Sequence, residues 1–166
     1  MQDEQAFTPH AEPGWHAWDS YSPEAEFCAF AGTLQRMLRP TVVLETGVGI
    51  GRLTEHLDLD ACTYLGYEAD PEWRRPPAHP DQGTPTPLMM AQADFVILDS
   101  APDFRFAELA MWAEHGEKGS VVLVHDAGNG HEAGTLHAQI GFACSQTNQP
   151  GMFLRNPRGG WLAVHQ

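Results

Sequence analysis

Two rhythms of apolar residues run along the chain. Between 21 and 40, in "YSPEAEFCAFAGTLQRMLRP", Phe27, Phe30, Leu34 and Leu38 recur at helical spacing, with Ser22 placed to cap and Pro23 at the first helical position. The spacing predicts an amphipathic helix that Pro40 closes. Elsewhere the apolar residues come in short unbroken runs: at 41–45, in "TYLGYEAD" (63–70), in "ADFVILDS" (93–100) and in "GSVVLVHDAG" (119–128). Runs of this kind fit strands buried on both faces. The stretch holding Leu53 and Leu57, and the segment 104–115, read as helical. The tail, "GMFLRNPRGGWLAVHQ", is two apolar runs around an Asn-Pro-Arg-Gly-Gly turn, which predicts an antiparallel hairpin.

Strands alternating with helical stretches imply an α/β fold: a doubly wound, mostly parallel sheet with right-handed crossovers, finished by the C-terminal hairpin. Residues 1–21 lack any period and read as an irregular N-terminal arm, leaving 22–166 as a single domain. Trp15, Trp18 and Tyr21 in that arm suit pinning it to the core, with covering a ligand pocket as the other reading. Segment 71–92 carries six prolines, which exclude an ordinary helix and leave room for a short strand near 87–90.

Charge narrows the partners. With 22 acidic against 9 basic residues and a formal net charge of -13, the chain repels a nucleic-acid backbone. Cys28, Cys62 and Cys144 form no CxxC pair, which suits a reducing compartment, and the acidic N-terminus shows neither a signal peptide nor a membrane anchor. A soluble cytoplasmic protein is expected.

The chemistry concentrates in "ETGVGIGR", where a strand breaks into Gly47, Gly49 and Gly51 behind Glu45. Glycines there let a ligand approach free backbone N–H groups, as in a nucleotide cradle. A dinucleotide fingerprint would place its third glycine at position 52, which is Arg52. The G-x-G-x-G spacing behind an acid resembles class I S-adenosylmethionine-dependent methyltransferases, and with "LVHDA" most resembles their small-molecule O-methyltransferase-like branch.

That resemblance implies a Rossmann-like sheet and S-adenosylmethionine as cofactor, held by Glu45, Gly47, Gly49 and Gly51, with Glu68 on the ribose hydroxyls. It also implies that Asp99, ending the family's fourth strand, lies near the methionine moiety or the acceptor. The proline-rich connection between Asp70 and Asp94 departs from the family's helix, strand and adenine contact, so no adenine-binding residue carries over. The smaller core favours a homo-oligomer.

Asp99, His125 and Asp126 are the candidate catalytic residues. His125 is the general-base candidate, since its ordinary pKa near ~6.5 leaves a neutral imidazole at neutral pH. Each has a plainer reading as a turn-capping acid or a packed histidine. The spacing of His125, His131 and His137 fits no zinc motif. Magnesium is a secondary reading: Asp99 and Asp126 match two of the three ligand positions of catechol-type enzymes, but the third is Ala127. The expected function is methyl transfer to an oxygen or nitrogen of a small-molecule acceptor. The alternatives are a cofactor-holding module without turnover and, disfavoured by Arg52, a nicotinamide oxidoreductase.

Overall fold

The computed structural model describes residues 22–73, 83–128, 136–155 and 158–166. The aromatic residues of the N-terminal arm, and His131, lie outside the described residues. Six strands form one sheet: β1 (Val42–Thr46), β2 (Thr63–Tyr67), β3 (Phe95–Leu98), β4 (Val121–His125), β5 (Gly151–Leu154) and β6 (Gly160–Val164). The order is β2-β1-β3-β4-β6-β5. The first four strands are parallel, and β6 pairs antiparallel with both β4 and β5. The expected C-terminal hairpin is therefore present, closing a mostly parallel sheet.

Strand periodicity sorts the side chains onto two faces. Val43, Phe95, Ile97, Val121 and Leu123 meet Phe27, Cys28 and Ala31 of α1 (Ala25–Leu38). Leu44, Val96, Leu98, Val122 and Val124 point the other way, towards helices α2 (Pro87–Gln92), α3 (Pro102–His115) and α4 (Leu136–Gln146). Among the described residues, one side thus holds a single α-helix and the other holds three, around Trp112, Leu109, Met90, Ile140 and Cys144. All three cysteines are free thiols. No described helix is long and apolar enough to cross a membrane.

Four expectations require correction. Helix α1 starts at Ala25 with Glu24 at the cap position, not at Pro23 behind Ser22, because the Glu24 carbonyl accepts the first turn's bond from the Cys28 N–H. Its buried face runs through Phe27, Cys28, Ala31, Gly32 and Gln35, whereas Phe30 and Leu38 are exposed. The glycines lead into two short 3-10 turns, Thr54–His56 and Leu59–Ala61, with Leu53 and Leu57 buried, rather than a longer helix. Residues 87–92 form a helix and not a strand: Thr86 accepts a hydrogen bond from the Met89 N–H and Pro87 occupies the first turn, where its missing N–H costs nothing. Helix α4 had no counterpart in the sequence reading.

Candidate functional site

The chain leaves β1 for β2 on one side and returns to β3 on the other, so β1 and β3 flank the point where strand order reverses. Open α/β sheets bind ligands outside the carboxyl ends of strands at such a point. The glycine loop occupies this place, with Gly47, Gly49 and Gly51 at φ 71, 54 and 86. Gly47 is obligatory on contact as well as conformation, since a Cβ there would run into the backbone of Asp99 and Ser100. Gly49 shares the left-handed conformation, but among the described residues an added Cβ there would have only the Gly47 carbonyl within reach, at 3.9 Å. No other described residue fills the room in front of Gly49.

Three acids hold this loop in different ways. Glu68, just beyond β2, accepts the Gly49 N–H at 2.8 Å through one oxygen and the Asp70 N–H at 2.9 Å through the other. The Glu45 carboxylate turns inward, accepting from the Tyr64 hydroxyl at 2.6 Å and from Thr54 at 2.9 Å. It is fully buried, and burial pushes its pKa up to about 7 against those two hydrogen bonds. Glu45 therefore fixes the loop's base instead of facing a ligand. On the α3 face, buried Glu108 accepts from Thr46 at 2.8 Å and from Ser100 at 2.5 Å. Its burial raises its pKa. The sequence reading missed Glu108, because one glutamate in an amphipathic helix reads as a solvated position.

Asp99, His125 and Asp126 come together at the ends of β3 and β4, as expected from their strand-end positions. His125 is completely buried against Phe27, ring centroids 4.5 Å apart. Its Nδ1 lies 2.8 Å from Asp99 and its Nε2 2.8 Å from Glu24 at the start of α1. Burial opposes the charge, but Asp126 and Asp99 beside it, together with Glu24, push the imidazole up to about 9. An imidazolium donating from both nitrogens has no lone pair to offer, so the general-base reading of His125 is corrected.

Cations that the sequence reading did not place complete the cluster. Arg105 of α3, itself buried, reaches Asp99 and Asp126 at 3.2 Å each and donates to the carbonyls of His125 and Ser100. Arg158, in the hairpin turn, contacts Asp126 at 2.7 Å and donates to the Ser22 carbonyl. Burial works against the Asp126 charge, but His125, Arg105 and Arg158 hold its carboxyl far below the usual range. Asp126 also takes a left-handed backbone at φ 56, which an aspartate tolerates better than most residues. Among the described residues, Glu24, Asp99 and Asp126 thus face His125, Arg105 and Arg158, with His137 3.8 Å from Asp126 at the edge of the cluster.

This composition decides the metal question. Asp99, His125 and Asp126 offer ligand atoms within 4.8 Å of one another. Yet the two carboxylates are already paired with guanidinium groups, and the imidazole, its pKa raised to about 9 and both nitrogens against carboxylates, would have to give up a proton, while a metal needs deprotonated ligands. The residues do not fit magnesium.

No protein-family model matches the chain, and no curated protein does. Solved structures do. An O-methyltransferase from Bacillus cereus in complex with SAH is 14% identical, with 89% of this chain and 84% of that one covered at a TM-score of 0.59. Cofactor-bound Rv0187 from MTB is 17% identical over 88% and 82%, with a TM-score of 0.60. DesVI from Streptomyces venezuelae is 15% identical over 86% and 93%, with a TM-score of 0.58. At these identities the likeness is one of fold: the chain has the Rossmann-like fold of class I S-adenosylmethionine-dependent methyltransferases.

Proposed function

We propose that the chain is an S-adenosylmethionine-dependent methyltransferase acting on an oxygen or nitrogen of a small-molecule acceptor. The observation that carries the reading is the glycine loop: positive φ at three glycines, room at Gly49 that no other described residue fills, and the Glu68 carboxylate bonded to the Gly49 N–H at 2.8 Å. The residues fit the cofactor. The Glu68 carboxylate, anchored by the Gly49 and Asp70 N–H groups, stands beside the loop as the acceptor for ribose hydroxyls in this reading. Gly47 and Gly49 allow the main chain to approach the ligand without a side chain between them.

When bound, the sulfonium supplies an activated methyl group, and the protein's task is alignment of the acceptor with it. Asp99, beside Gly47, faces the loop from β3 and is fixed by His125 and Arg105. His125 and Asp126 act here by positioning Asp99 and the strand ends, not by taking a proton. The free thiols accord with a reducing cytoplasm. Self-association would cover Phe30 and Met37, exposed on α1.

Calorimetry with S-adenosylmethionine and S-adenosylhomocysteine, followed by turnover against a metabolite panel, tests the proposal. Binding of both ligands with methyl transfer to a panel member is expected. No binding of either would overturn it, and binding without transfer to any acceptor would leave a cofactor-holding module.

A further inference from the structure

The two segments that frame the strand-reversal point belong to different crossovers, and no regular ladder extends between them beyond the Asp99 N–H to Thr46 carbonyl bond at 3.1 Å. One begins at Thr46 and runs through the glycine loop, and the other is Asp99–Ser100. A single carboxylate from a third element spans them. Glu108 of α3 uses one oxygen, Oε2, to accept from the Thr46 hydroxyl at 2.8 Å and from the Ser100 hydroxyl at 2.5 Å. Glu108 is 3% exposed, and Thr46 and Ser100 are buried too. Thr46 immediately precedes Gly47, and Gly47 presses on the backbone of Asp99 and Ser100.

We propose that Glu108 is a positioning residue of the cofactor site, setting the separation of the glycine loop and the Asp99 segment as one unit. Its role in binding rests on the methyltransferase reading, whereas its role in coupling the two segments does not. The physical reasoning is geometric. A hydroxyl on each segment donates to the same oxygen, so neither can shift without straining the other's bond. A buried acceptor that loses this role leaves two buried hydroxyls without partners, which is the expensive outcome inside a protein. Glu108 lies on the α3 side and Glu45 on the α1 side, so the loop's base is gripped from both faces of the sheet.

Amide hydrogen exchange on the ligand-free protein, wild type against E108A and E108Q, tests the coupling. E108A is expected to lose protection at 46–51 and at 99–101 together, with β4 and β6 unchanged, while E108Q, which keeps an accepting oxygen, stays close to wild type. Should E108A fail to fold, Thr46→Val and Ser100→Ala each remove one bond, and each is expected to loosen both segments. Loss confined to the mutated segment, no loss, or E108Q behaving like E108A would overturn the proposal. Calorimetry with S-adenosylhomocysteine adds the functional arm, where E108A should weaken binding by about tenfold. If wild type does not bind that ligand, the cofactor reading fails and the exchange experiment still decides the coupling.

Discussion

The two halves of the sheet's carboxyl edge are furnished in opposite ways. Beside β1 and β2 lie main-chain atoms and a carboxylate that accepts two backbone N–H groups, and among the described residues little stands in front of Gly49. Beside β3 and β4, three carboxylates, an imidazolium and two guanidiniums consume one another in a buried cluster. Glu68, Asp99 and Asp126 look alike in sequence, each an acid ending a strand. What separates them in the described contacts is that Asp99 and Asp126 meet buried guanidinium groups, while Glu68 accepts backbone N–H groups. On the proposed function, one half receives the cofactor and the other holds the strand ends in shape.

The comparison breaks most visibly if the cluster is cut. Arg105→Ala leaves Asp99 and Asp126 short of a buried partner, and a loss of about 3–5 kcal/mol in denaturant melts is expected. A change under about 1 kcal/mol would mean the cluster is solvated and open to ligands. A gentler probe is pH. Because the His125 pKa is raised from its ordinary value near 6.5 to about 9, its stabilisation is complete below 6.5 and is lost as pH rises through about 9. Thermal melts should show stability falling across that window by at most about 3 kcal/mol. A flat profile would place a neutral imidazole between Glu24 and Asp99.

The proposed receiving half is sharpened by substitutions in the loop and its anchor, each checked for retained folding by thermal melt, since Gly49 has a left-handed backbone that valine strains. Glu68→Gln should weaken S-adenosylhomocysteine by about tenfold in calorimetry, the size of one charged-acceptor bond. Gly49→Val should weaken it by a similar factor, because the side chain would fill the open room; equal affinity would move the site elsewhere. The smallest effect is expected from a chelator. Neither melting temperature nor cofactor affinity should change on adding it, and magnesium should restore nothing.

The strands were legible because an apolar run between polar ends has few other uses, and four such runs in order imply the parallel sheet. Helix α2 was not, since Pro87 counts as a breaker until Thr86 is recognised as its cap. The glycine loop was legible from spacing alone. The state of His125 was not, because Glu24 is 101 positions away from it, and Arg105 and Arg158 look like ordinary surface charges. Their one clue is scarcity: they are two of 9 basic residues in a chain with 22 acids.

The reach of that cluster also bears on the order of folding. Glu24 meets His125 across 101 positions, and the Ser22 carbonyl meets Arg158 across 136. Contacts of such separation close the longest loops in the chain, and their entropy is unfavourable until the sheet already exists. The cluster is therefore expected to form after the rate-limiting step, with φ-values near zero. Substitutions in it should hasten unfolding and leave the folding rate nearly untouched, making the cluster a determinant of how long the native state lasts rather than of how quickly it is reached.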